Sequence, residues 1–240
     1  MTRINIAAGF DRDATPESHL MQIVAGRFRH RKLLTTPGQT TRPILTRVKV
    51  SLFDRLQPEL QGARVVDIFA GTGTLGFEAL SRGAVSVVFI ENDSKAVELL
   101  RQNVRSLRVE NETVCWMTDV DRCSFRPKRA DGLLPFDVVF FDPPYPVTRH
   151  LHKGHMLHRA IARLARDGIS SPQALLVLRC EKDTQFDMPD VWQLEKFLDY
   201  SSMEVHLFRR AASVAEPSTE ELVEQPIPDE STVELEARPG

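Results

Sequence analysis

Residues 64–80, RVVDIFAGTGTLGFEAL, are the stretch of the chain that decides its fold. Arg64–Phe69 is a short, mostly apolar run, and such a run predicts a buried β-strand. A glycine-rich turn follows, and Thr74–Arg82 then has the composition of a helix that Gly83 ends. A buried strand, a tight turn and a helix in this order form the first unit of a parallel sheet with helices on its faces.

The alternation of strands and helices continues toward the C-terminus. We expect Asp93 to cap a helix that ends near Leu107, and His152–Arg166 to form another. The last two strands are joined by a tight turn, which predicts an antiparallel hairpin. The sequence therefore predicts an α/β fold with a seven-stranded, mostly parallel sheet and an antiparallel C-terminal edge strand. The predicted strands after the first are Ser86–Ile90, Thr113–Met117, Phe136–Phe141, Ala174–Cys180, Trp192–Leu198 and Met203–Arg209.

A basic extension precedes this sheet. Met21–Leu34 alternates around Gly26 as a short hairpin does, and a helix is predicted from Pro43 to about Leu56, ended by Pro58 and Gly62. From residue 21 to residue 53 the chain has no acidic residue. Such uncompensated charge suits contacts with nucleic-acid phosphates, although a solvated basic face that binds nothing has the same composition. The residues predicted to contact RNA are Arg27, Arg29, Arg31, Lys32, Arg42, Arg47 and Lys49, and the first three fall at a period of two, as on one strand face.

Charge divides the chain into four predicted segments. The 240 residues carry 31 lysines and arginines against 33 acids, but residues 211–240 hold eight of these acids, one arginine, four prolines and no aromatic residue. Such a segment cannot bury enough apolar surface to offset the entropy lost on ordering. We therefore expect a disordered N-terminus at 1–19, the basic extension at 20–60, the main domain at 61–210 and a disordered acidic tail at 211–240.

Cysteine usage and hydropathy predict the compartment. The three cysteines, Cys115, Cys123 and Cys180, cannot all pair, and none lies in a Cys-x-x-Cys motif. This favours a reducing compartment and argues against a disulfide framework or a zinc site. No stretch approaches the about 20 apolar residues of a membrane helix, and the first 20 residues lack the apolar core of a signal peptide. We expect a cytoplasmic monomer that does not contact membranes.

The glycine-rich turn has the spacing of a nucleotide-binding motif. Gly71, Gly73 and Gly76 spell G-x-G-x-x-G between a strand and a helix, which nicotinamide dehydrogenases also show. Asp67 lies inside the end of the first strand, where a carboxylate would repel a pyrophosphate but suits an amine or a sulfonium. Glu91 ends the second strand, where an acid can accept hydrogen bonds from ribose hydroxyls. Together these acids favour S-adenosylmethionine, an adenosine that carries a cationic methionyl group.

A third acid follows the third strand. Asp119 can accept the exocyclic amine of adenine, and Asp121 is the alternative. The predicted cofactor site comprises Asp67, Phe69, Gly71, Thr72, Gly73, Glu91, Asn92 and Asp119.

The second motif is Asp142-Pro143-Pro144-Tyr145, at the end of the fourth strand. The exocyclic amine of a nucleobase is a poor nucleophile because its lone pair is delocalised into the ring. The Asp142 carboxylate and the Pro143 carbonyl can accept its two N–H hydrogens and free that lone pair to attack a methyl sulfonium. The prolines fix the backbone, and Tyr145 can stack on a base taken out of its helix. The predicted catalytic residues are therefore Asp142, Pro143, Pro144 and Tyr145.

With these motifs the chain resembles the bacterial 16S ribosomal RNA guanine-N2 methyltransferase family over about residues 20–210. The resemblance rests on IVAGRFRHRKL, RPILTRVKVSLFDRL, DIFAGTGTLGFEALSRGA and FFDPPY. It implies a Rossmann-like class I methyltransferase domain at 61–210, S-adenosylmethionine as cofactor and 16S ribosomal RNA, within a small-subunit particle, as partner. Two alternatives stay open: an adenine-N6 methyltransferase acting on DNA or RNA, and a non-catalytic RNA-binding assembly factor.

A group of histidines is the remaining candidate site. His150, His152, His155 and His158 are close in sequence, but zinc normally needs three or four ligands, and no cysteine or carboxylate lies near them in sequence. The sequence therefore predicts no metal.

Overall fold

The structure of the protein is a computed structural model, and it describes residues 20–36, 46–128 and 132–211. Arg42, the predicted N-terminal segment 1–19 and all but the first residue of the predicted tail lie outside the described residues. No helix in the described ranges is long and apolar enough to cross a membrane. The elements are β1 (Leu20–Gln22), β2 (Lys32–Leu34), α1 (Thr46–Leu60), β3 (Arg64–Ile68), α2 (Thr74–Ser81), β4 (Ser86–Glu91), α3 (Ser94–Leu107), β5 (Thr113–Met117), β6 (Phe136–Phe141), α4 (Tyr145–Thr148), α5 (Met156–Leu164), β7 (Ser170–Glu181), β8 (Trp192–Tyr200) and β9 (Met203–Arg210).

The main sheet has seven strands in the order β5-β4-β3-β6-β7-β9-β8, and a separate hairpin pairs β1 with β2. The α/β fold with a mostly parallel sheet is thus confirmed. One detail was wrong: the antiparallel strand β9 does not form the edge, because it lies between β7 and β8. Six of the eight residues of β9 are buried, whereas six of the nine residues of β8 are exposed, as expected for an inner strand and an edge strand.

Alternate residues of the strands pack into two hydrophobic cores, one on each face of the sheet. On β3, Val65 packs toward α1, α2 and α3, while Val66 packs toward α5. The same division holds on β6 for Phe140 and Phe141. Burial on both faces explains why the central strands read as continuous apolar runs.

Helix boundaries differ from the predictions in two places. Helix α1 continues to Leu60 with Pro58 in its last turn, because a proline there removes a single N–H donor from a helix that ends two residues later. Helix α5 begins only at Met156, because Gly154 adopts a left-handed φ of +87° just before it. Asp93 caps α3 as predicted, and its side chain accepts a hydrogen bond from the Ala96 N–H.

The N-terminal hairpin is confirmed, but its basic residues do not share a strand face. Residues 25–30 form a turn rather than a strand, in which Gly26 has a φ of +78°. A Cβ at Gly26 would lie 1.8 Å from the Ser81 carbonyl oxygen, so the turn is pressed against the end of α2. The Arg27 N–H donates to that same carbonyl. Close packing has therefore overridden the period-two pattern of the arginines.

A buried ion network holds the hairpin on the main domain. Glu78 on α2 is fully buried and accepts hydrogen bonds from the N–H groups of Val24 and Ala25 at 2.9 and 3.1 Å. The same carboxylate lies 3.5 Å from Lys49 Nζ and 2.9 Å from Arg82 Nε. Because a carboxylate buried without partners is very costly, this network fixes the hairpin in one position.

Candidate active site

The carboxyl ends of four neighbouring strands bring the two motifs together. Strands β5, β4, β3 and β6 are mutually parallel, so the residues that follow them meet at one edge of the sheet. The glycine loop follows β3, Glu91 ends β4, Asp119 lies after β5, and Asp142 follows β6. Open α/β sheets bind ligands at this edge, which is called the carboxyl edge below.

The three glycines of the loop have different tasks. A Cβ at Gly71 would meet no atom within 4 Å, so Gly71 faces open space at the carboxyl edge. A Cβ at Gly76 would lie 2.3 Å from the ring of Phe89, and one at Gly73 would lie 2.6 Å from Leu100. Gly71 therefore leaves room for a ligand, whereas the other two let helix α2 pack closely on its neighbours.

Asp67 is a buried acid directly behind this loop. Its side chain is 1% exposed and accepts a hydrogen bond from the Gly76 N–H at 2.8 Å. Burial raises the pKa of Asp67 to about 8, and the negative charges of Asp142 and Glu91 add to the rise. Burial disfavours the carboxylate form of Asp67. A cation bound near Asp67 would favour the carboxylate form and would be attracted to it.

Glu91 braces the loop from the next strand. Its Oε2 accepts a hydrogen bond from the Gly71 N–H at 2.8 Å, and its Oε1 accepts from the N–H groups of Asn92 and Asp93 at 2.8 and 2.9 Å. A carboxylate has about four lone-pair sites, so these three bonds leave capacity on Oε2 for a hydroxyl donor. The geometry suits one ribose hydroxyl without rearrangement.

The carboxylates of Asp119 and of its alternative, Asp121, have different surroundings in the structure. The Thr118 N–H donates to the Glu91 carbonyl at 3.0 Å, which keeps Asp119 beside the end of β4. The exposed Asp121 donates its N–H to Asp119 Oδ1 at 2.9 Å, and its own carboxylate turns to Arg159 of α5 at 3.7 Å. The placement favours Asp119 as the third acid of the cofactor site.

Asp142 and Pro143 present two hydrogen-bond acceptors. The Pro144 carbonyl is used by the N–H groups of Val147 and Thr148 in helix α4. None of the described residues donates to the Pro143 carbonyl or to Asp142 Oδ2. Both atoms are therefore left without a donor from the described residues, and their role as the acceptors of a target amine stays a prediction.

The ring of Tyr145 is partly covered by its neighbours in the fold. Its ring is half-buried against the core on the α1 side, and the guanidinium carbon of Arg179 lies 5.9 Å from its centroid. Its hydroxyl is buried without a partner among the described residues, and burial raises the pKa of Tyr145. The predicted stacking of a base on Tyr145 therefore has to share the ring with Arg179 and with the core on the α1 side.

Comparisons with known proteins decide the family. Residues 21–209 match the family model described as conserved hypothetical protein 95. The chain belongs to this family. Ribosomal RNA small subunit methyltransferase D of Haemophilus influenzae is 35% identical over 178 residues, which cover 73% of this chain and 86% of that protein. The solved yhhF structure of Escherichia coli has a TM-score of 0.66 and 30% identity, over 80% of this chain and 99% of that one. The resemblance to 16S ribosomal RNA methyltransferases is thereby confirmed.

The methyltransferase relatives imply S-adenosylmethionine as cofactor, and the residues present fit it. Gly71 leaves open space at the carboxyl edge, Asp67 suits a positive charge, and Glu91 retains an acceptor site for a hydroxyl. An RNA methyltransferase from Salinibacter ruber, solved with S-adenosylhomocysteine, is 16% identical with a TM-score of 0.53, which shows the same fold.

The structure scatters the residues predicted to contact RNA. Arg47 is exposed at the start of α1, one turn before Ser51, whose hydroxyl lies 3.2 Å from that of Tyr200 near the carboxyl edge. Arg27 pairs with Glu112 just before β5, and Arg31 donates to the Ser106 carbonyl near the end of α3. These two arginines, with the exposed Arg29 of the same turn, lie at the opposite edge, about 20 Å away for a six-residue strand.

Lys49 is buried rather than exposed, so its assignment to the RNA-binding residues was wrong. Its side chain is fully buried, donates to the Gln22 carbonyl at 2.6 Å and faces Glu78. Burial lowers the pKa of Lys49. The lysine lies on the buried face of helix α1, which the charge pattern alone did not reveal.

Two residues of the site were missed by the sequence analysis. Asn103 on α3 donates to the Thr72 carbonyl at 3.0 Å and exchanges two hydrogen bonds with Leu34, so it joins the glycine loop to the hairpin. Arg179 on β7 donates from Nε to Asp142 Oδ1 at 2.6 Å. A charged residue inside the apolar run ALLVLRC was the available signal for Arg179.

A cluster outside this site brings together Cys180, Glu204 and His206, whose donor atoms lie within 4.8 Å of one another. Glu204 already accepts hydrogen bonds from the Asp183 N–H and from His206. These contacts account for the polar atoms of Glu204, and we assign no metal there.

Proposed function

We propose that this protein transfers a methyl group from S-adenosylmethionine to the exocyclic N2 amine of one guanine in 16S ribosomal RNA, on a small-subunit particle. The observation that carries the proposal is a pair of acceptors, Asp142 Oδ2 and the Pro143 carbonyl, to which none of the described residues donates and which lie at the same edge as the glycine loop. The name of the Haemophilus influenzae relative supports ribosomal RNA of the small subunit as the substrate.

The chain's contribution to this reaction is orientation and electrostatics. Asp142 Oδ2 and the Pro143 carbonyl would accept the two N–H hydrogens of the target amine, directing its lone pair toward the cofactor. The bound cofactor supplies an electrophilic methyl group on a sulfonium. Asp67, Gly71 and Glu91 would hold that cofactor, and Asp142 would take up the proton that the methylated amine releases.

The nearest alternative is methylation of adenine N6, since the same acceptors serve that amine. A DNA enzyme of this type needs a part of the chain that recognises its target sequence. Only residues 118–135 separate β5 from β6. This short connection favours a substrate that is recognised in an assembled particle rather than by an inserted domain.

Labelled S-adenosylmethionine tests the proposal directly. The protein is incubated with small-subunit particles that lack the modification, with purified 16S RNA and with duplex DNA, and the methylated nucleoside is identified after digestion. We expect N2-methylguanosine from the particles. N6-methyladenine would overturn the guanine assignment, and cofactor binding without transfer to any substrate would favour an assembly factor.

The arginines of the hairpin turn give a second prediction. If Arg29 and Arg31 contact rRNA, replacing both with alanine weakens particle binding and reduces the slope of log K against log salt by about 1 per lost phosphate contact. The rate at saturating particle stays unchanged, because these residues lie about 20 Å from the carboxyl edge. Binding curves at several salt concentrations measure the slope.

The exposed Lys196 on β8 provides the matched control, since Lys196→Ala removes one positive charge at a distant site. If the double variant lost as much affinity for the cofactor as for the particle, the turn would have a structural role instead.

A further inference from the structure

Arg179 faces the catalytic acid from the neighbouring strand. Strands β6 and β7 are parallel with Phe141 opposite Leu178, so the next residues, Asp142 and Arg179, meet at the carboxyl edge. Arg179 Nε lies 2.6 Å from Asp142 Oδ1, and the two side chains are only 10% and 14% exposed. The contact is therefore a short, largely buried ion pair inside the proposed active site.

This ion pair gives the two oxygens of the Asp142 carboxylate different surroundings. Oδ1 is occupied by Arg179, whereas none of the described residues donates to Oδ2. The main chain of Asp142 is also fixed, because its N–H donates to the Ile68 carbonyl at 3.3 Å. With both ends of the residue held, Oδ2 is the oxygen left to receive a donor from the substrate.

The guanidinium of Arg179 determines what kind of atom can face it. Arginine carries only donors, so it can face only an acceptor atom of residue 142. Although burial opposes the charged form, Asp142 raises the pKa of Arg179 above its ordinary value. The group therefore stays a charged donor throughout the working pH range.

We propose that Arg179 is a positioning residue that fixes which atom of Asp142 faces the target amine, and that it makes a carboxylate obligatory at position 142. The inference rests on the proposed function, because it assumes that Asp142 accepts the amine. An asparagine at position 142 would turn its single oxygen toward Arg179 and its NH2 group toward the amine. Two donors would then face each other where an acceptor is needed.

Fold stability does not explain Arg179 equally well. Its Nη1 is buried without a partner among the described residues, as is the nearby Tyr145 hydroxyl. An unsatisfied buried donor costs free energy, and a buried ion pair is often no more stabilising than apolar residues of similar volume. A charged side chain kept at this cost, in contact with the catalytic acid, points to a role in the reaction.

Four proteins test the proposal through the rate at saturating cofactor and particle: the wild type, Arg179→Gln, Asp142→Asn and the double variant. Glutamine can donate to Asp142 or accept from an asparagine. We expect Arg179→Gln alone to lower the rate by about 10-fold and Asp142→Asn alone to lower it by at least about 100-fold. In the double variant, the glutamine can accept the asparagine NH2, so the rate should rise about 10-fold above that of Asp142→Asn.

The same substitution at Arg179 is thus expected to be harmful beside aspartate and beneficial beside asparagine. Arg149→Gln is the matched control, because Arg149 is exposed, pairs with Glu181 and should not raise the rate of Asp142→Asn. A double variant no faster than Asp142→Asn, with circular dichroism and cofactor binding intact, overturns the proposal. If the wild type methylates adenosine instead, the proposed function fails while the order of the four rates still tests Arg179, because Asp142 would accept either amine.

Discussion

Replacing Asp142 with alanine is expected to lower the rate of methyl transfer by about 1000-fold, the largest effect on activity that we predict. The substitution removes the acceptor at Oδ2 and leaves the Pro143 carbonyl alone to orient the amine. A missing acceptor weakens the transition state more than the bound substrate, so the loss should fall on kcat rather than on the KM for the particle. Rates with labelled cofactor over a range of particle concentrations separate the two constants.

Asp142→Ala also leaves Arg179 without its partner, so some loss of stability accompanies the loss of activity. The side chains of this pair are largely buried, and breaking such a pair by removing one member costs up to about 3–5 kcal/mol. Urea unfolding therefore has to show that the variant is folded at the assay temperature. Glu181→Ala is the control, because Glu181 has an exposed ion pair with Arg149 near the same edge. Full methyl transfer by a folded Asp142→Ala protein would contradict the mechanism.

Asp67→Asn is expected to make the protein more stable and its cofactor binding weaker. Because burial raises the pKa of Asp67 to about 8, the folded protein keeps this proton at pH values where the unfolded chain has released it. The wild type therefore loses stability as pH rises from about 4 to 8, by as much as about 1.4 kcal/mol per pH unit. The asparagine variant lacks this loss, so its advantage should be small at pH 5 and largest at pH 8. Urea unfolding at these two pH values measures the difference.

Cofactor affinity should show the opposite dependence. A positive charge bound near Asp67 favours the carboxylate form, so binding of S-adenosylmethionine to the wild type should strengthen as pH rises toward about 8, with release of a proton. Calorimetry in buffers of different ionisation enthalpy counts that proton. In Asp67→Asn the affinity should be lower and the dependence on pH reduced. An unchanged dependence in the variant would show that the titrating group belongs to the ligand.

The ion network around Glu78 connects the N-terminal hairpin and helix α1 to helix α2. The extension is tied down by hydrogen bonds from Val24 and Ala25 and by the contact between Lys49 and Glu78. Asn103 adds a second connection, from the hairpin strand β2 to the Thr72 carbonyl of the glycine loop. Strand β2 of the hairpin is therefore linked to the glycine loop through a single side chain, that of Asn103.

The parts of the site that could be predicted from the sequence are those in which neighbouring residues act together. The turn after β3 needs glycine at 71 and 73, and both adopt a positive φ of +54° and +89°. Asp142-Pro143-Pro144-Tyr145 carries its acceptor geometry within four residues. The rule that parallel strands align their carboxyl ends then places both motifs at one edge. Local sequence was sufficient there because the distances involved are short along the chain.

The parts that required the tertiary structure depend on contacts between distant segments. Arg179 is 37 residues from Asp142, and only the pairing of β7 with β6 brings them together. Lys49 looked like a surface cation until packing placed it on Glu78, 29 residues further along the chain. By itself the sequence determined the order of strands and helices and the chemistry of each motif, because hydrophobic periodicity and turn residues act locally. Which polar groups face each other across the fold was decided by strand order and helix packing, where burial determines each partner.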